Sequence, residues 1–320
     1  MNIFFANSAL QILLLDLILT EEKINNGLLI LKKNKHDMNQ FNSCIKKLKK
    51  NRSIKVIKSP DNIIVFYLLS FITIFFKKII LGDIKSVYYQ LAIRFINKKK
   101  VIFYDDGFSS ILILNLLKEN KNISILNGMQ NASYLKKILF SIFFIKYKNI
   151  KINRFMFYSI FPEKSIGNIK KISLNENIIT DVRKNNSIFL GGKYVDIKIL
   201  SFNDYCDAIN KAQKISNEKL VYIPHRSESP EFLKKLKLNI PTLDINIIES
   251  PIEAYLIQHK WLPNNVFSIY STALFTVGNL LPSSKVYFKK ININLIPSHY
   301  QDSITSLYNF LNSSNRYISY

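Results

Sequence analysis

Two neighbouring carboxylates, Asp105 and Asp106, follow the apolar, strand-forming residues Val101 to Tyr104 and precede Gly107. Asp-Gly alone would make a turn, because both residues tolerate turn geometry. The chain has 22 acidic residues against 45 basic ones, so a second carboxylate at the mouth of a strand stands out. Such a carboxylate can act as a general base towards a hydroxyl nucleophile within hydrogen-bond reach. The pair could also hold a divalent ion, but neighbours on an extended segment point to opposite sides. Asp106, furthest out and next to the glycine, is therefore the expected base. Asp105 is expected to brace the turn and is the lesser candidate.

Other polar residues stand where strands should end. "YIPHR" puts His225 after a strand, with Pro224 fixing the approach. A lone histidine is often a structural hydrogen-bonding group, and His259 and His299 are read that way. "IYSTAL" places the hydroxyls of Ser271 and Thr272, with free backbone amides, at a helix start, a natural seat for a phosphate. "SPIEAYL" puts Glu253 in the first turn of a helix, where the dipole favours an acid and where capping and ligand roles both remain open. Among eight glycines there is no Gly-x-Gly-x-x-Gly and no phosphate loop ending in Gly-Lys-Ser/Thr, which argues against a nicotinamide dehydrogenase or a kinase-type ATPase. The four histidines are dispersed, with no His-x-x-x-His or Cys-x-x-Cys pair, so no metal site is expected. Cys44 and Cys206 read as free thiols of a reducing compartment.

These residues need elements to position them, and the chain alternates short β-rich runs with helical ones, the pattern of α/β layers with parallel sheets. Strands are expected at 2–6, 27–31, 54–58, 85–89 and 101–104, with a buried helix after an Asn7 or Ser8 cap and further helices at 91–97 and 109–119. A polar segment, 174–186, reads as a linker between domains 1–175 and 176–320. The second series has strands at 187–192 and 219–226, a helix at 202–216 capped at Asn203 or Asp204, and a helix at 251–261 opened by proline. It continues from strand to helix over 266–277, to a last strand at 285–291 and a closing helix at 300–313. Two such series imply two Rossmann-like domains facing a central cleft, with ligands beyond the carboxyl ends of the strands. That is where Asp105, Asp106, Gly107, His225, Ser271 and Thr272 fall.

A formal charge of +23 raises the question of an anionic partner. The lysines are scattered and no arginine cluster occurs, so nucleic acid is not expected. Basic and aromatic residues interleave between 134 and 161, which favours an anionic membrane surface, although an Ile-, Asn- and Lys-rich composition would also raise the charge. The longest uncharged apolar run, 63–76, is short for a membrane span and suits a buried or interfacial helix. "MNIFFANSALQ" lacks a basic leader, so the expectation is a cytoplasmic protein held peripherally at the inner face of the cell membrane.

Taken in order, "YDDG", "YIPHR", "ESPIEAYL" and "LPNNVFSIYSTALF" resemble the motifs of bacterial lipooligosaccharide-type sialyltransferases, relatives of the multifunctional marine-type sialyltransferases and the bacterial polysialyltransferases. "NIFFANSALQILLLDLIL" is similar to that family's first strand and helix, so the resemblance spans nearly the whole chain. Arg226 and Ala9 stand where many relatives have proline, and Ser271-Thr272 replaces a Ser-Ser pair. The resemblance implies a metal-independent GT-B enzyme, without cofactor, that transfers sialic acid with inversion from CMP-sialic acid to a terminal sugar (a galactose) of a lipooligosaccharide or capsule. It also implies a homodimer. In that chemistry Asp106 would deprotonate the acceptor hydroxyl, and His225 would stabilise or protonate the leaving phosphate. Ser271 and Thr272 would bind the phosphate oxygens, Glu253 the ribose hydroxyls, with Gly107 and Pro224 shaping the site. The same fold could instead use CMP-Kdo, CMP-pseudaminic acid or a UDP-hexose. A non-catalytic basic protein binding a membrane or nucleic acid is the alternative from another class.

Overall fold

The computed structural model describes residues 1–32, 38–59, 63–83, 86, 100–104, 114, 123–124, 149–150, 155–161, 165, 167–172 and 186–320. Among the site expectations, Asp105, Asp106 and Gly107 lie outside these residues, as do the helix expected at 91–97, all but Ser86 of the strand expected at 85–89, all but Leu114 of the helix expected at 109–119, and most of the 134–161 stretch and the linker. The chain forms two compact units, Met1–Ile172 and Ser173–Tyr320.

In the first unit, β1 (Ile3–Ala6) leads through α1 (Ala9–Glu21), β2 (Asn26–Lys32), α2 (Met38–Lys50), β3 (Ser53–Ser59) and α3 (Ile63–Ile72) to β4 (Ile79–Leu81) and β5 (Val101–Tyr104). A short antiparallel pair, β6 (Ile123–Ser124) and β7 (Asn149–Ile150), precedes β8 (Met156–Ser159) and β9 (Ile169–Lys171). The sheet is parallel, in the order β3-β2-β1-β4-β5-β8-β9. Strands β1, β4 and β5 are buried along their whole length. That is why they read as continuous apolar runs rather than as alternating ones. Ser8, not Asn7, caps α1, its Oγ accepting from Gln11 N at 3.2 Å. Gln11 is itself buried: its Oε1 accepts from Asn7 N at 2.5 Å and its Nε2 donates to the Gly82 carbonyl. One amide side chain thus ties the loops that follow β1 and β4, where the strand order reverses.

The apolar run 63–76 buries Thr73 and Phe76 but exposes much of its second half. After α3 it tightens into a 3₁₀ turn at Thr73–Phe75, and Leu68, Ile72, Ile74 and Phe75 are exposed, Phe75 by 85%. Among the described residues no helix is long and apolar enough to cross a membrane.

The second unit runs β10 (Ser187–Leu190), α4 (Phe202–Ser216), β11 (Leu220–Ile223), α5 (Pro230–Asn239), β12 (Asp244–Ile245), α6 (Ile252–Gln258), β13 (Asn265–Ser268), α7 (Thr272–Leu280), β14 (Lys285–Phe288), α8 (Ser298–Asn312) and β15 (Tyr317–Ser319). Its parallel sheet has the order β12-β11-β10-β13-β14-β15, the Rossmann order. The chain thus has the pair of Rossmann-like α/β units that a GT-B fold comprises. Its core is aromatic: Phe189 stacks on Tyr222 at 5.8 Å, and Tyr205 meets Phe189 edge-on.

Two expectations are corrected. Strand β14 is not the last, because β15 pairs beside it after α8. The cap of α4 is Ser201, which accepts from Asp204 N at 3.1 Å and donates to Asp204 Oδ2 at 2.6 Å. Asp204 serves the cap from the first turn rather than being it.

A cluster at the far end of α1 anchors the first unit. Lys78 pairs with Glu22, the Tyr158 hydroxyl donates to Glu22 Oε1 at 2.5 Å, and Lys170 lies 3.3 Å from that oxygen. Burial by itself would raise the Glu22 carboxyl, but these donors hold it down to about 2. A carboxyl lowered on folding stabilises the protein above its unfolded value and loses that contribution as pH falls through its folded value. Replacing Glu22 by Gln should therefore lower the urea midpoint at neutral pH, with the deficit shrinking between about pH 5 and pH 2. Denaturation curves across that range check it, and a constant deficit contradicts it.

Candidate functional site

Adjoining loops leave the carboxyl edge of the second sheet. Leu190 of β10 lies beside Ile223 of β11, and Phe189 beside Phe267 of β13, so the loops beginning at Gly191, Pro224 and Ile269 start in one row. Between β10 and β13 the strand order reverses, the place where open α/β sheets bind ligands.

The loop after β11 is a tight reciprocal turn. Glu228 N donates to the His225 carbonyl at 2.8 Å, and His225 N donates back to Glu228 Oε2, also at 2.8 Å. Glu228 Oε1 accepts from the Tyr222 hydroxyl at 2.7 Å, and the hydroxyls of Tyr222 and Tyr205 are 2.7 Å apart. The His225 ring is directed from its other side. Ser227 Oγ is 2.6 Å from Nδ1 and Ser227 N donates to the same atom at 3.4 Å. An Nδ1 that accepts leaves Nε2 to carry the proton of the neutral ring. Burial, and then the positive charges of Arg226 and Lys193, lower the His225 imidazolium to about 4. At neutral pH His225 is thus an uncharged donor set beside two cations.

The loop after β10 is Gly191-Gly192. A Cβ on Gly191 would fall 2.6 Å from the Tyr222 hydroxyl and 2.7 Å from Glu228 Oε2, and one on Gly192 would fall 2.5 Å from the Tyr194 ring. A side chain at either position would force these groups to shift, so the two glycines allow the close approach. Tyr194 then reaches the third loop. Its hydroxyl donates to the Tyr270 carbonyl and accepts from Tyr270 N at 3.3 Å, while Ser268 Oγ donates to Leu190 O at 2.9 Å. These bonds hold the segment that ends in Ser271, whose Oγ caps α7 by accepting from Ala273 N at 3.1 Å. Ser271 and Thr272 are half-buried at the helix start.

The structure therefore gathers Pro224, His225, Ser271 and Thr272 on one edge of one sheet. Glu253 sits apart from them. It is 2% exposed, and its carboxylate accepts from Thr276 one turn inside α7, so it faces the α6–α7 packing; burial raises its carboxyl. Four further residues complete the edge: Lys193, Tyr194, Ser227 and Glu228. Glu228 had a local signal, an acid three residues after a strand-end histidine, which is the spacing at which a side chain returns to a backbone N–H. Among the described residues no group of three or more His, Cys, Asp or Glu side chains is placed to hold a metal ion.

The structure is similar to that of MurG from Acinetobacter baumannii, at 10% identity over 100% of this chain and 85% of that one, with a TM-score of 0.46. It is also similar to the E. coli heptosyltransferase WaaC with ADP-2-deoxy-2-fluoro heptose, at 9% identity over 100% of this chain and 93% of that one, with a TM-score of 0.41. No protein-family model matches the sequence, and no curated protein matches it.

Two measurements test the site's construction. Gly191→Ala should cost about 1–3 kcal/mol through overpacking against Tyr222 and Glu228, read as a lower denaturation midpoint. An unchanged midpoint would mean that the close approach is slack. The second concerns pH. Burial raises Glu228 to about 7 from 4.5, so its contribution to stability falls as pH rises across that interval. His225, lowered to about 4 from 6.5, contributes stability that rises with pH across its own interval. The two slopes oppose each other in the native protein. His225→Asn should expose the fall and Glu228→Gln the rise; stability curves of the same slope in both variants contradict the assignment.

Proposed function

We propose that this protein is a glycosyltransferase that takes its sugar from a nucleotide donor and binds the donor phosphate at the carboxyl edge of the second sheet. One observation carries the reading: an uncharged His225, its Nδ1 held by Ser227 and within the field of Lys193 and Arg226, stands on the loop after β11, one strand from the β10–β13 reversal where the next loop opens α7. A phosphate suits that place, since it accepts hydrogen bonds and carries negative charge that two cations and a helix start both favour.

The motif resemblance names CMP-sialic acid as the donor and a terminal sugar hydroxyl of a bacterial surface glycan as the acceptor. The chemistry is an inverting displacement. The acceptor oxygen attacks the anomeric carbon, the bond from that carbon to the phosphate oxygen breaks, and the CMP phosphate leaves with the electron pair. Asp106 takes the acceptor proton. His225 stabilises the charge growing on the phosphate by donating from Nε2 rather than by transferring a proton, because its imidazolium is too acidic to be populated in the free protein. Lys193 and Arg226 supply the countercharge, which is the basis for proposing that no metal is needed. Ser271 and Thr272 bind phosphate oxygens through hydroxyls and α7 amides. Glu253, buried between α6 and α7, braces α7 rather than reaching the nucleotide. The homodimer and the peripheral attachment at the inner face of the cell membrane through residues 134–161 are proposed from the sequence alone.

Calorimetric titration with CMP, UMP and GDP tests this directly. CMP should bind, and Ser271→Ala combined with Thr272→Val should weaken it by about 1–3 kcal/mol. The fold of the double variant should be checked alongside, since losing an N-cap costs about 1 kcal/mol of stability. Failure of all three nucleotides to bind overturns the proposal. CMP affinity unchanged in the double variant removes the α7 seat.

A further inference from the structure

We propose that Glu228 is the positioning residue of His225, holding the Pro224–Ser227 turn so that the imidazole keeps its place at the sheet edge. The inference rests on the phosphate-binding reading for its purpose, but its geometry stands by itself. The His225 backbone is held at both ends by one residue, N–H to Glu228 Oε2 and carbonyl to Glu228 N, each at 2.8 Å. The carboxylate's other oxygen is fixed by the Tyr222 hydroxyl at 2.7 Å, and Tyr222 by Tyr205 from α4 at 2.7 Å. Gly191, which has no side chain, lets β10 press against the same carboxylate. The turn bearing His225 is thus tied to β11, β10 and α4 through one side chain.

The groups facing Glu228 are Tyr222 from β11, Tyr205 from α4, Tyr194 and Asp196 from the segment between β10 and α4, and His225 in its own turn. Ionised, Glu228 accepts from Tyr222 and from His225 N, and the Gly192 backbone favours the same form. Neutral, it must place an O–H, which the Tyr222–Tyr205 hydroxyl pair can reverse to receive, so that Oε2 still accepts from His225 N.

The test follows the His225 ring by nuclear magnetic resonance in the full chain, its signals assigned by their loss in His225→Asn. Burial and the neighbouring Arg226 and Lys193 lower His225 to about 4, so its native titration is expected there. In Glu228→Ala, with the fold checked by circular dichroism, the turn is released into water and the titration should rise by roughly one pH unit or more, a tenfold or greater change in the protonation constant. Glu228→Gln, whose amide oxygen still accepts from His225 N, should stay near the native value. If Glu228→Ala does not fold, Glu228→Asp, one methylene too short to reach both His225 N and Tyr222, should show the same rise. An unmoved His225 titration in a folded Ala or Asp variant overturns the proposal, as does a Gln variant displaced as far as Ala. Failure of the native chain to bind CMP would overturn the phosphate-binding reading and leave this result intact.

Discussion

The second unit depends on the closeness of Gly191-Gly192 to its neighbours. Because these residues have no side chains, the end of β10 comes within contact distance of the Glu228 carboxylate, the Tyr222 hydroxyl and the Tyr194 ring at once. Everything polar on that edge follows from this approach. Glu228 is squeezed into a place where it costs less to be neutral, His225 is pinned from its backbone, and Tyr194 is free to cross to the β13 loop and hold Tyr270. Interiors are close-packed, so an added methyl group here has nowhere to go without breaking one of these contacts.

The electrostatic character of the edge comes from the same packing. Buried groups favour their uncharged forms, and both titratable residues of the turn obey that rule in opposite directions, the acid raised and the base lowered. The positive charge there comes from Lys193 and Arg226, which lie next to glycine and histidine in sequence and so arrive at the edge with them. A neutral donor flanked by cations is better suited to an anion than to a cation or an apolar ligand. The chain's overall positive charge says little by comparison, because scattered surface lysines are screened over about 10 Å at moderate salt.

These strands were legible because they are covered on both faces: "IFFA", "VIFY", "SIFL" and "LVYI" are almost wholly apolar and are buried throughout. β4 escaped because Ile79–Leu81 is three residues between lysines and a Gly-Asp, and β15 because its three residues follow what reads as a closing helix. The strand-end histidine and the paired hydroxyls could be found because each follows a run that must be a strand. Tyr194 could not, since its partner Tyr270 is 76 residues away and no local pattern joins them. Glu253 was readable as a first-turn acid, but its burial against Thr276 depends on how α6 packs on α7, which spacing does not reveal.

A crystal structure of the full chain grown with CMP tests the central claim most directly. The account predicts a phosphate group within hydrogen-bond distance of His225 Nε2 and of the Ser271–Ala273 amides or hydroxyls at the start of α7. A phosphate bound instead at the Asn7–Ser8 edge of the first sheet, or on surface lysines away from His225, would contradict it.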